Sequence, residues 1–318
     1  MSNGNSVGDD VPKLMAALAN LEAYAGESAD AFTFERQGGL TNRVYKVEHP
    51  KLEAVVVRLA GSGTEDYIDR AVELHNAQQA AHAAVSPEVL YGYVPDGLMI
   101  SRLVPDIVTM TPALFNSRSE SVTRAGVALK KLHASGVAFQ FRFELFAMID
   151  DYLKILNGKI LDGKTIDLPD GYEDIVRQAA PLKTALSKRH VALAPCHCDP
   201  LCENFLDDGQ SMWIVDWEYS GMNDPWWDLG DLSVEAGFSD VQDQALLQAY
   251  CSGDPAEHEY GRMVVYKALC DLLWTLWGLI QHADDNPAED FWAYANERFS
   301  RCRALMNSDE FERAKRRL

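Results

Sequence analysis

The chain has 318 residues and a formal net charge of −19 at pH 7, enough length for one large domain or two lobes with well-formed cores. Its hydrophobic fraction of 47% and charged fraction of 24% are those of a globular protein, and its charge opposes general attraction to nucleic acid or an anionic membrane. The longest apolar run, around residues 269–280, is interrupted by Asp271 and Thr275 and falls short of the roughly 20 apolar residues of a membrane helix.

Residues 1–10 are polar and acidic, without the basic and apolar regions of a signal peptide, and read as a flexible tail. Six cysteines in this length make no disulfide scaffold, and the cytoplasm is the expected compartment. From Ala31 to Val104 the pattern is strand, glycine turn, strand, helix and two further strands. Phe32-Thr33-Phe34 leads into Gly38-Gly39, and Val44–Val47 and the valine-rich Ala54–Leu59 have β character. Thr64 and Asp66 predict the start of a helix over Tyr67–Ala84. Val89–Tyr93 and Leu98–Ile100 form a hairpin around Pro95-Asp96-Gly97.

Beyond Thr109 the periodicity turns helical: Ser119–Ala134, Asp174–Lys188 after a Gly- and Asp-rich loop near 162–171, a long apolar helix over Tyr260–Ala283, and Asp290–Met306. Asn204–Leu206 and Met212–Val215 are short strands around Asp207-Asp208-Gly209. The expected organisation is α+β: a small antiparallel β-sheet N-lobe with one helix over residues 11–104, then a larger, mainly helical C-lobe over 105–318, with a hinge near Ser101–Pro105.

The segment His197-Cys198-Asp199-Pro200-Leu201-Cys202-Glu203-Asn204, followed by Asp216-Trp217-Glu218, carries the most chemistry. It supplies an aspartate, an asparagine five residues on, and a second aspartate after a hairpin. Phosphoryl transfer needs one carboxylate to take the acceptor hydroxyl's proton and oxygen ligands to hold magnesium against the phosphates. Asp199 fits the base, and Asn204 and Asp216 fit the metal ligands, with Glu218 in support. Cys196, Cys198, Cys202 and His197 lack the paired, well-separated spacing of a structural zinc site.

These motifs resemble the catalytic loop and metal-binding aspartate of the choline/ethanolamine kinase family, within the aminoglycoside phosphotransferase and protein-kinase-like superfamily. Asp216-Trp217-Glu218-Tyr219, Asp228-Leu229-Gly230-Asp231, Gly38–Val47 and Val57–Gly61 all share in the likeness, which runs from Thr33 to Arg301. It implies a protein-kinase-like bilobal fold and an ATP- and Mg2+-dependent phosphotransferase. Gly38, Gly39, Thr41 and Asn42 would cradle the phosphates. Arg58, oriented by Glu73, would contact them in place of a lysine.

Trp274 and Trp277, three apart on the apolar helix, share a face. A quaternary ammonium takes no hydrogen bonds and is held by aromatic faces and carboxylates. The resemblance places Trp274, Trp277, Tyr294, Tyr219 and Glu235 around such a head, with choline or ethanolamine as acceptor. An aminoglycoside kinase of the same fold, or a nucleotide-binding pseudokinase with a regulatory role, are the competing readings.

Overall fold

The structure is a computed structural model, and it describes residues 7–37, 42–61, 68–161, 163–164 and 166–318. The chain begins with helix α1 (Val7–Leu18), which leads to strands β1 (Thr33–Arg36), β2 (Arg43–His49) and β3 (Leu52–Leu59). Helix α2 (Arg70–His82) and strands β4 (Val89–Tyr93) and β5 (Leu98–Arg102) complete the first layer. The five strands form one antiparallel sheet in the order β1-β2-β3-β5-β4.

The period of two in β3 decides what each face of that sheet does. Val55, Val57 and Leu59 are buried on one face with Leu14 and Leu18 of α1 and with Tyr45, Val47 and Ile100. Arg58 therefore points to the opposite face, toward α2. Burying each of these large side chains contributes about 1.5–3 kcal/mol, so α1 is a structural cover of the sheet.

The tail expected over residues 1–10 is helical from residue 7, while residues 1–6 lie outside the described residues. Helix α1 starts at Val7, and Asp10, 1% exposed, accepts hydrogen bonds from Arg43 Nη1 at 2.7 Å and from the Tyr45 hydroxyl at 2.5 Å. Asp9 and Asp10 suit the positive end of the helix dipole, while Pro12 interrupts the helical pattern a sequence reader looks for.

The second, larger part contains β6 (Val108–Thr109), α3 (Pro112–Ser117), α4 (Ser119–His133), α5 (Leu145–Leu161), α6 (Tyr172–Ala179) and α7 (Leu182–Ser187). It continues through β7 (Ala194–Cys196), β8 (Phe205–Asp207), β9 (Met212–Ile214), β10 (Gly221–Asn223) and α8 (Trp226–Ala236). Four helices end it: α9 (Asp240–Cys251), α10 (Glu257–Ala283), α11 (Phe291–Met306) and α12 (Asp309–Arg317). Strands β6, β8 and β9 make one small sheet and β7 pairs with β10. The helix expected over Asp174–Lys188 is two helices, because Pro181 has no N–H and breaks it between α6 and α7.

Helix α2 starts at Arg70, where the Asp69 carboxylate caps the N–H groups of Ala71 and Val72. The expected start at Thr64, Asp66 and Tyr67 lies outside the described residues, as do Gly38, Gly39 and Thr41. Helix α10 has 27 residues and by length and composition alone would qualify as a membrane span. It is instead the core helix of the larger part, packed against α5, α8, α11 and α12.

Candidate active site

Strand β7 and the 3-10 turn Cys202–Asn204 bracket the loop that presents Asp199. Cys198, just before it, has φ +68° and Asp216 has φ +67°. Non-glycine residues in the left-handed region are strained and gather at functional sites. The surroundings fix both loops. Asp228 accepts the backbone N–H groups of His197 at 2.7 Å and Cys198 at 2.9 Å, and Trp227 Nε1 donates to the Cys198 carbonyl at 3.1 Å. His197 Nε2 lies 2.9 Å from the Val215 carbonyl, so this histidine braces the loop against the strand end that carries Asp216.

The Asn204 side-chain nitrogen donates to the Asp199 carbonyl at 3.2 Å, which leaves the amide oxygen as its available ligand atom. The Val215 N–H donates to the Asn204 carbonyl at 3.0 Å, placing Asn204 beside Asp216. Asp199 is half-buried. Desolvation, then the negative charges of Glu235 and Asp216, push its carboxyl up to about 8. The Asp216 carboxyl is pushed up to about 7 by desolvation and next by Glu218, with Arg58 opposing.

Arg58 and Glu73 come together as a two-pronged ion pair, one arm of which measures 2.9 Å. Arg70 Nη1 binds both Glu73 Oε2 and Glu218 Oε1 at 2.8 Å. Asn42 Nδ2 donates to the same Glu218 oxygen at 2.6 Å, and the buried Asn42 Oδ1 has no partner among the described residues. Two arginines and two carboxylates, Glu73 and Glu218, thus knit β3, α2 and the segment after β9 into one network.

Oxygens of Glu73, Asp216 and Glu218 lie within 4.8 Å of one another. Glu73 and Glu218 are compensated by arginines, whereas the Asp216 carboxylate has no ion pair among the described residues. Its raised affinity for a proton marks a place short of positive charge. An all-oxygen donor set of Asp216, Asn204 and Glu218 fits the hard cation magnesium.

Four aromatic rings form a continuous edge-to-face row. Tyr219 meets Trp274 with centroids 6.4 Å apart, Trp274 meets Trp277 at 6.0 Å, and Trp277 meets Tyr294 at 5.7 Å. Tyr219 is 38% exposed and both tryptophans are half-buried, so the row is not sealed in the core. Gly278 lets α11 lie close: a Cβ there would sit 2.8 Å from Tyr294 Cδ1. Burial raises the hydroxyl pKa of Tyr219 and Tyr294, and the Asp199 charge adds to the rise in both. The two tyrosines at the ends of the row are therefore within electrostatic reach of the aspartate.

The comparisons with known proteins follow this geometry. Residues 35–263 match the phosphotransferase enzyme family. A crystal structure of a choline/ethanolamine kinase family protein from Mesorhizobium loti is 51% identical, with a TM-score of 0.86 over 96% of this chain and 98% of that one. The chain belongs to the choline/ethanolamine kinase family. Protein LicA of Haemophilus influenzae is 25% identical over 271 residues, 83% of this chain and 77% of that protein. Ethanolamine kinase 2 of Homo sapiens is 28% identical over 289 residues, 82% and 72% respectively. The fold is that of protein-kinase-like phosphotransferases.

Two arginines of this kinase have roles the sequence reading did not assign. Arg70 is the second cation of the Glu73 network, and its position three residues before Glu73 on α2 was a readable signal. Arg298 ion-pairs with Glu235 and lies over the Tyr294 ring, 5.1 Å from its centroid. Glu235, expected to face the acceptor's charge alone, is shared with this arginine. The signal was an arginine four residues after Tyr294 on α11, hence on the same helix face.

Proposed function

We propose that this kinase transfers the γ-phosphate of ATP to the hydroxyl of choline, with ethanolamine as the close alternative, giving the phosphorylated amino alcohol and ADP. The observation that carries the reading is that Asp199 lies near Asp216 and Asn204 and also within electrostatic reach of Tyr219 and Tyr294 of the aromatic row. A base between a metal-binding carboxylate and a cation-binding surface suits an acceptor with a hydroxyl two carbons from a positive nitrogen.

Asp199 holds the acceptor hydroxyl and takes its proton as the oxygen attacks phosphorus. Arg58, held by Glu73, engages the phosphates with the glycine-rich segment Gly38, Gly39, Thr41 and Asn42. Asp216, Asn204 and Glu218 hold magnesium, which when bound neutralises phosphate charge. Trp274, Trp277 and Tyr294 offer ring faces to the ammonium head, and Glu235 adds negative charge tempered by Arg298. ATP and magnesium at the concentrations of the cytoplasm suit this chemistry, and the proposal places the enzyme there.

ADP release measured with magnesium and ATP against choline, ethanolamine and an aminoglycoside tests the acceptor. Choline-stimulated turnover with the highest kcat/KM is the expected result. Turnover with the aminoglycoside alone would discard the amino-alcohol reading. ATP binding with no acceptor-dependent turnover would favour the pseudokinase.

A further inference from the structure

Beside Glu235 the protein buries a second carboxyl group that no cation answers. Asp231 lies on α8 one turn before Glu235 and is 0% exposed. The two side chains share a helix face, and an oxygen of each lies with the Cys270 sulfur of α10 within 4.8 Å of one another. Cys270 is four residues before Trp274, so Asp231 meets α10 on the face that carries the two tryptophans.

The Cys270 thiol donates to Asp231 Oδ1 at 3.1 Å, while the buried Oδ2 has no partner among the described residues. Arg298, whose charge reaches Asp231, is ion-paired with Glu235 and lies 3.5 Å from Asp271. No cation pairs with Asp231 itself among the described residues. The other charges around it are negative: Glu235 on its own helix and Asp199 from the catalytic loop. Burial raises the Cys270 pKa well above that of a free thiol, so the sulfur keeps its proton and the group is no thiolate metal site.

An unpaired carboxylate wholly out of water is far less stable than its neutral acid, and a carboxylate neighbour adds repulsion. Desolvation first, and then the charges of Glu235 and Asp199, raise the Asp231 pKa well above the usual carboxylate range. The acid form also accounts for the orphan oxygen. A protonated Oδ2 is a donor, and the Glu235 carboxylate is an acceptor within reach, directly or through one water.

We propose that Asp231 is a neutral acid at neutral pH that donates a hydrogen bond to Glu235, which makes it a positioning residue for the carboxylate that faces the acceptor's charge. The proposal rests on the reading of Glu235 as that carboxylate. Glu235 is then held from two sides, by Arg298 at Oε1 and by the Asp231 O–H. Asp231 is sealed from solvent and touches no substrate, so its loss acts through Glu235 on KM for the acceptor and leaves KM for ATP alone.

The test compares the full-length wild type with Asp231→Asn, a neutral isostere whose amide N–H can donate to Glu235, and with Asp231→Leu, which cannot. Infrared difference spectra at neutral pH, wild type minus Asp231→Asn, should show the carbonyl stretch of one protonated carboxylic acid, moving on exchange into heavy water. In Asp231→Leu the KM for choline should rise about tenfold, as expected for loss of a hydrogen bond to a charged group, with KM for ATP within about twofold. Asp231→Asn should keep both constants within about twofold of the wild type. Absence of the acid band from the difference spectrum would overturn the proposal. So would a choline KM raised as much by asparagine as by leucine, or unchanged in a folded Asp231→Leu. If Asp231→Leu does not fold, the infrared spectrum and the asparagine kinetics still decide. Should the wild type turn over no acceptor, the functional reading fails on its own, and the infrared band still reports whether Asp231 holds the proton.

Discussion

The proposed role of Asp199 as base conflicts with its half-burial among other negative charges. Its carboxyl is pushed up to about 8 by desolvation, Glu235 and Asp216, against about 4 in the unfolded chain. Between those values the folded state holds a proton that the unfolded state has released. The group therefore costs stability increasingly as pH rises through that window. Asp199→Asn should abolish turnover yet flatten the decline in melting temperature between about pH 5 and 8, read by thermal denaturation of both proteins without nucleotide. An unchanged pH slope would show that Asp199 is not the strained group. In catalysis the same shift predicts an ascending limb of kcat/KM near pH 8 in low magnesium, moving to lower pH as magnesium neutralises the neighbouring Asp216.

Individual residues were legible where the chemistry is local in the chain. Asp199 and Asn204 are five residues apart, and a single hairpin brings Asp216 beside them, so spacing pointed to the set and the agreement of the N-terminal half strengthened it. Arg298 was not legible in the same way. It meets Glu235 only because α8 and α11 both pack near α10, a contact between residues 63 apart in sequence. Arg58→Lys should raise KM for ATP while leaving the fold intact, because a lysine cannot engage both oxygens of Glu73 and a phosphate at once. Nucleotide titration of the purified variant checks this.

At the scale of elements, close helix contacts carry the geometry. Gly126 in α4 faces α9, and a Cβ there would lie 2.6 Å from the Leu246 carbonyl oxygen and 2.9 Å from Ala249 Cβ. Gly126→Ala should destabilise the protein by about 1–3 kcal/mol, measured by denaturant unfolding, because a backbone oxygen cannot step aside as a side-chain tip can. The aromatic row belongs to the same scale, since α10 and α11 together present it. Trp277→Ala should raise KM for a quaternary ammonium acceptor by roughly two- to thirtyfold, the worth of a ~0.5–2 kcal/mol cation–π contact, with little change in KM for ATP. Steady-state kinetics with both substrates varied would separate the two.

The elements themselves were read well where periodicity was uninterrupted, as in α4, α10 and β3. Reading failed at prolines. Pro12 hid α1 within an acidic start, and Pro181 split one expected helix into α6 and α7. In both places the hydrophobic pattern and the backbone rule disagree, and only packing decides: α1 forms because Leu14 and Leu18 cover the sheet.

Across the whole molecule, the two lobes are joined through buried polar contacts as well as through the chain. Asn76 of α2, fully buried, donates to the Ser220 carbonyl and hydroxyl and accepts the Gln140 N–H, all at 3.0 Å. Glu73, one helical turn before Asn76, meets Arg58 and Arg70, and Arg70 reaches across to Glu218. The helix whose Glu73 orients Arg58 is therefore fastened to the segment carrying Asp216, so the proposed nucleotide and metal sites are set together. The Asn76–Ser220 contact was not readable from sequence, because the two residues are 144 apart and carry no motif, whereas the pairing of Arg58 with Glu73 was expected.

The most direct measurement is phosphorus NMR of the reaction of ATP, magnesium and choline with the wild type and with Asp199→Asn. Phosphocholine and ADP formed in equal amounts by the wild type, and neither by the variant, is the expected result. ADP and free phosphate without phosphocholine, or phosphocholine still formed by Asp199→Asn, would contradict the central claim that Asp199 delivers an amino-alcohol hydroxyl to the γ-phosphate.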